Sequence, residues 1–141
     1  MSRILAIDYG AKRTGLAVTD PLRIIAGALA TVPTGEVLEY LKNYCGREPV
    51  EFFVVGYPTN DDGTPSQIAP EVELFIEKLK KQFPEKAVVL QDERYTSKEA
   101  SRIIIQSVPK KSKRRDKALV DKIAAALILE YYMEAHDWKT N

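Results

Sequence analysis

Residues 3–8, Arg-Ile-Leu-Ala-Ile-Asp, carry apolar side chains at both parities: Ile4 and Ala6 on one face of an extended chain, Leu5 and Ile7 on the other. Successive strand residues point to opposite faces, so this stretch suits a strand buried on both sides and central in its sheet. It stops on a carboxylate, Asp8, and passes at once into the turn residues Gly10 to Arg13. Asp8 alone admits a plain reading as the opening of that turn. Whether it is more depends on partner carboxylates elsewhere in the chain.

The surrounding pattern predicts an antiparallel meander: a second strand over Thr14 to Thr19, a break at Asp20-Pro21 and a third strand over Ile24 to Val32. Val37, Leu38, Leu41 and Tyr44 then follow a helical period between Gly35 and Cys45, with Gly46 placed to end the helix. A strand over Glu51 to Pro58 leads into a loop rich in Asn, Asp, Gly and Pro, in which Asp61 and Asp62 read as turn residues. Ile68, Val72, Phe75, Ile76 and Leu79 line one face of a helix over residues 65–83. A fifth strand covers residues 86–93. Thr96 and Glu99 form a capping box for a further helix, and a long apolar helix runs from Asp116 to His136. Strands and helices in this order make an α/β sheet of mixed direction in a single domain over residues 1–141.

Counting excludes several chemistries. Cys45 is the only cysteine and His136 the only histidine, which rules out an intramolecular disulfide, a Cys/His zinc site and a histidine-based triad. Any metal must therefore sit on oxygen ligands. The N-terminus lacks the pattern of a signal peptide and no apolar run reaches the length of a membrane span, so the expectation is a soluble, cytoplasmic protein with no membrane contact. Net charge is only +1, but it is unevenly spread. Of 21 basic and 20 acidic residues, six and one fall in Lys110 to Lys117, "KKSKRRDK", which leaves 15 and 19 elsewhere. This +5 run is either a solvated loop or a contact for nucleic acid.

Two strands end in acids, Asp8 after the first and Asp92-Glu93 after the fifth, and the carboxyl ends of parallel strands form the usual site edge of an open α/β sheet. A third acid lies in the last helix, where Asp121 shares a face with Ala124, Ala125, Ile128 and Tyr132. A carboxylate on an apolar face needs relief, either from a basic partner or the helix N-terminus, or from a metal. Clustered Asp and Glu oxygens suit Mg²⁺ or Mn²⁺, ions that serve phosphodiester hydrolysis.

Four segments, "IDYGAKRTGLAVTD" (7–20), "VVGYPTNDDGTPS" (54–66), "QDERYTSKEA" (91–100) and "RDKALVDKIAAALILEYY" (115–132), resemble the YqgF/RuvX family in order and spacing across nearly the whole chain. The resemblance implies an RNase H-like fold, with a five-stranded mixed sheet in the order 3-2-1-4-5 flanked by helices. It implies a metal-dependent nuclease with Mg²⁺ or Mn²⁺, processing the 5′ end of pre-16S ribosomal RNA or resolving Holliday junctions in DNA. Carried over residue by residue, the acidic set, catalytic and metal-binding, falls on Asp8, Glu93 and Asp121. RNase H-like nucleases often draw an acid from the end of the fourth strand, which here ends "VVGYP" without one; Glu93 must reach from the fifth. With strands about 4.8 Å apart, that lateral gap is nearly 10 Å, which sheet twist and a long side chain close. Strand alternation separates Asp92 from Glu93, making Glu93 the first choice and Asp92 the second.

Gly10 lets a phosphate approach the backbone, and Lys12, Arg13 and Arg94 are candidate phosphate contacts, with Lys110, Lys111, Lys113, Arg114 and Arg115 in the basic run. Two other classes compete. "DYGAKRTGLAV" is also similar to the first phosphate loop of actin-like and sugar-kinase ATPases, but those enzymes set two such domains face to face and 141 residues hold one. A non-catalytic RNA-binding assembly factor is the other, disfavoured by the full acidic set. A resolvase cutting two symmetric strands is expected to be a homodimer, whereas an end-processing nuclease works as a monomer.

Overall fold

The structure is a computed structural model that describes residues 2–60, 62–92 and 117–136. Its sheet has five strands in the order β3-β2-β1-β4-β5, as the family resemblance implies. β1 (Arg3–Asp8), β2 (Arg13–Thr19) and β3 (Ala26–Pro33) form the antiparallel meander; β4 (Val50–Tyr57) and β5 (Ala87–Asp92) run parallel to β1. Helix α1 (Val37–Arg47) links β3 to β4, α2 (Ala69–Gln82) links β4 to β5, and α3 (Lys117–His136) follows.

β1 is central and buried on both faces. Leu5 and Ile7 join Leu16, Phe53 and Val55 beneath α1 and α2, where Val37, Leu41, Val72, Phe75 and Leu79 complete a core. Ile4 and Ala6 face the other way, with Ala17, Phe52 and Val54, and are covered by Ala125, Ile128, Leu129 and Tyr132 of α3. The 3.6-residue period of each helix thus meets the two-residue period of the strands on a defined face. Among the described residues, no helix is long and apolar enough to cross a membrane.

Among the boundaries that differ from expectation, three do so for a clear local reason. Gly46 lies inside α1, which runs on to Arg47 and closes when the Glu48 N–H bonds to the Tyr44 carbonyl. Pro49 supplies the stop, because the residue before a proline is pushed out of the helical region, and Glu48 is extended. α2 begins at Ala69 rather than 65, with Pro70 in its first turn, while Pro65 bridges to Thr59. β3 begins at Ala26 because the Ile24 and Ile25 N–H groups both bond to the Asp20 carboxylate at 2.8 Å. Those bonds hold the Asp20 carboxyl below its usual pKa. The helix expected after Thr96 lies outside the described residues.

Candidate functional site

The site edge is built around Gly15. In the antiparallel pairing of β1 with β2, Gly15 stands opposite Asp8, which places their Cα atoms about 5 Å apart. Asp8 continues the row Ile4–Ala6 and so lies on the face covered by α3. A Cβ added to Gly15 would sit 2.1 Å from the carbonyl oxygen of Asp121 and 2.5 Å from its carbonyl carbon. The helix backbone therefore rests on the strand at Gly15, a close approach that only glycine allows. Asp8 and Asp121, 113 positions apart in the chain, become neighbours across one residue without a side chain.

Arg13 opens β2 on the same face. Its Nε donates to Asp121 Oδ2 at 3.0 Å, with the Arg13 side chain 39% and the Asp121 side chain 24% exposed. Asp121 thus has a basic partner in this structure, one of the two forms of relief that its place on an apolar helix face demands.

The turn before Arg13 is held by Thr34. Its hydroxyl donates to the Gly10 carbonyl at 2.6 Å and its N–H to the Lys12 carbonyl at 3.0 Å, while the buried Thr14 hydroxyl lies 2.9 Å from Thr34 Oγ1. Gly10 is required too, since a Cβ there would meet the Arg13 carbonyl oxygen at 2.2 Å. Lys12 is exposed at the tip. Sequence reasoning missed Thr14, Gly15 and Thr34 as positioning residues. Of these only Gly15 carries a signal, since an isolated glycine inside a strand marks a close backbone approach.

Asp92 ends β5 opposite Tyr57, on the parity of Val88, and so on the α1/α2 side of the sheet. It accepts a bond from the Thr59 hydroxyl at 2.7 Å. Val89 packs with the α3 cluster and Gln91 shares its parity. Glu93, Arg94, Lys110, Lys111, Lys113, Arg114 and Arg115 lie outside the described residues. Asp62 is a turn residue: its Oδ1 accepts from the Thr64 N–H at 3.0 Å and the Thr64 hydroxyl at 2.7 Å. Beside the turn, burial pushes the Tyr9 hydroxyl pKa up, with Glu71 adding to it, and the Tyr9 ring packs 5.0 Å from that of Phe75.

Among the described residues, no three His, Cys, Asp or Glu side chains gather closely enough to hold an ion. The two carboxylates flanking Gly15 nevertheless suit one. Both offer hard oxygen donors, and a guanidinium already sits where positive charge is needed.

A family model described as "RuvX: Holliday junction resolvase" matches residues 2–135. A Porphyromonas gingivalis protein is 50% identical over 137 residues, covering 97% of this chain and 99% of its own. A Parabacteroides distasonis protein is 48% identical over 139 residues, covering 99% of each. Both bear the name "Putative pre-16S rRNA nuclease". Among solved structures, Thermus thermophilus RuvC in complex with Holliday junction substrate superposes with a TM-score of 0.57 at 18% identity, covering 96% of each chain. A fowlpox virus resolvase in complex with junction DNA gives 0.56 at 17%, covering 95% of this chain and 98% of its own. At those identities the likeness is one of fold, and the fold is RNase H-like.

Proposed function

Because the chain belongs to the RuvX family, we propose that it is a single-domain, metal-dependent nuclease that hydrolyses phosphodiester bonds of structured nucleic acid and processes the 5′ end of pre-16S ribosomal RNA in the cytoplasm. The observation that carries this reading is the meeting of a strand-end acid, Asp8, with a helix acid, Asp121, across Gly15. The actin-like ATPase reading has no place in that family.

Asp8, Asp121 and Glu93 are the residues that would hold Mg²⁺ or Mn²⁺. Glu93 is preferred to Asp92 because Asp92 is engaged by Thr59 on the α1/α2 side of the sheet, away from Asp8 and Asp121. Held by these carboxylates, such an ion would supply Lewis-acid chemistry for phosphodiester hydrolysis. The protein's own part is to fix the carboxylates: Asp8 by the sheet, Asp121 by the contact of α3 with Gly15. Lys12, Arg13 and Arg94 are suited to phosphates beside the reacting bond, and Lys110, Lys111, Lys113, Arg114 and Arg115 to phosphates further along the strand.

The test offers a structured 5′-extended RNA precursor and a four-way DNA junction side by side, with Mg²⁺ and with Mn²⁺. The expected result is cleavage of the precursor in its 5′ extension, reduced on the order of a thousandfold in Asp8→Asn and in Asp121→Asn. Symmetric cutting of the junction by a dimer would replace the RNA reading with the resolvase one. Binding of RNA equally well with and without ions, and no cleavage of either substrate, would make the chain a non-catalytic assembly factor and overturn the proposal.

A further inference from the structure

Resting on the reading that Asp8, Glu93 and Asp121 hold a divalent ion, we propose that Arg13 is a partner-switching residue, neutralising Asp121 while no ion is bound and turning to a substrate phosphate once that carboxylate is taken. Among the described residues, the guanidinium makes one side-chain bond, from Nε to Asp121 Oδ2 at 3.0 Å. A guanidinium has five donor hydrogens, so this single bond leaves capacity for a phosphate oxygen.

Three features make the exchange feasible. First, the pair is open to water, and partly exposed ion pairs are worth only about 0–1 kcal/mol, so a doubly charged ion held by several carboxylates displaces it readily. Second, neither backbone has to move. The turn is fastened by Thr34 to the Gly10 and Lys12 carbonyls, and α3 is seated on Gly15, so rotation of the Arg13 side chain suffices. Third, the charges favour something of this kind. Asp8 and Asp121 lie close across Gly15, and like charges so placed repel until a cation stands between or beside them. Arg13 supplies that cation without an ion, which keeps the site assembled. Released, it becomes a planar donor at the site edge, suited to phosphate.

The experiment uses the full chain labelled with ¹⁵N-arginine and amide ¹⁵N, titrated with Mg²⁺ in the absence of nucleic acid. Asp121→Asn supplies the reference position of a released Arg13 Nε–H. The expected result is that Mg²⁺ moves the wild-type Arg13 Nε–H resonance toward that reference while the Asp8 amide also shifts. If the Asp8 amide shifts and the Arg13 resonance stays, the switch is wrong and the ion site stands. If neither moves, the ion site itself is wrong and the switch falls with it. A second measurement, in EDTA, uses a fluorescein-labelled single-stranded RNA. Asp121→Asn should bind it about tenfold more tightly than wild type, as expected for one added charge-assisted contact, and Arg13→Gln/Asp121→Asn should lose that gain relative to Arg13→Gln. An equal gain in both backgrounds would reduce the effect to the removal of a negative charge and overturn the switch.

Discussion

The two faces of the sheet are packed differently. Toward α1 and α2 the strands present Leu5, Ile7, Leu16, Phe53 and Val55, and the helices answer with side chains of similar bulk; the rings of Phe53 and Phe83 lie 5.1 Å apart, edge to face. Toward α3 the residues nearest the site include Ala6, Gly15 and Ala17, with Ala125 above them, and bulk returns away from them at Val54, Ile4, Ile128 and Leu129 and where Phe52 meets Tyr132. Large side chains bury area and hold the helices away from the strands. Small ones bury less and let the backbones touch. The first face therefore buries the larger apolar cluster, and the second brings two carboxylates on different elements together.

That division makes stability and function separable by mutation. Phe53→Ala removes a fully buried ring from the bulky face and should cost about 3–5 kcal/mol in urea denaturation. The carboxylates meet on the opposite side of the sheet, so below the unfolding transition Mn²⁺ affinity should stay within about twofold of wild type, as expected when sites share no partner. Loss of Mn²⁺ binding in proportion to stability would show that the two faces are not independent.

Gly15→Ala is the converse. Its new methyl would have to displace the Asp121 carbonyl from 2.1 Å, and overpacking of this kind costs about 1–3 kcal/mol, less than the loss of Phe53. Yet it lifts α3 at the point that carries Asp121. The expected outcome is a variant that melts later than Phe53→Ala while cleaving far less substrate. A Gly15→Ala protein with full activity would mean that the helix absorbs the methyl elsewhere, and close packing would not be what sets the site.

What the sequence revealed follows from the same division. The bulky face is written in hydrophobic periodicity, so β1, β4 and α2 were readable from it, whereas the strand order followed from the family resemblance. Asp8 stood out because it ends a strand apolar on both faces, and Asp121 because an acid shared a helical face with Ala125 and Ile128. The small face depends on residues with little or no side chain, which leave a weak trace in periodicity. The Arg13–Asp121 pair spans 108 positions and has no local signature. Nor did pattern alone reveal that the Asp20 carboxylate would take the N–H groups of Ile24 and Ile25 and delay the start of β3.

Gly46 is the counter-case to Gly15 and gives the smallest expected effect. Both are glycines within regular elements, and sequence alone makes Gly46 the more conspicuous, placed where a helix was expected to end. In the structure α1 passes through it, its φ is not among the positive ones, and a Cβ built there meets nothing within 4 Å. It has neither a conformational nor a steric reason to be glycine. Inside a helix a glycine costs about 0.5–1 kcal/mol relative to alanine, because it loses more backbone freedom on folding. Gly46→Ala should therefore raise stability by about that amount and leave cleavage unchanged, since α1 covers the face away from Asp8 and Asp121. A loss of stability would reveal an unseen constraint on α1. A loss of cleavage at unchanged stability would tie the bulky face to the site and undo the contrast between the two faces.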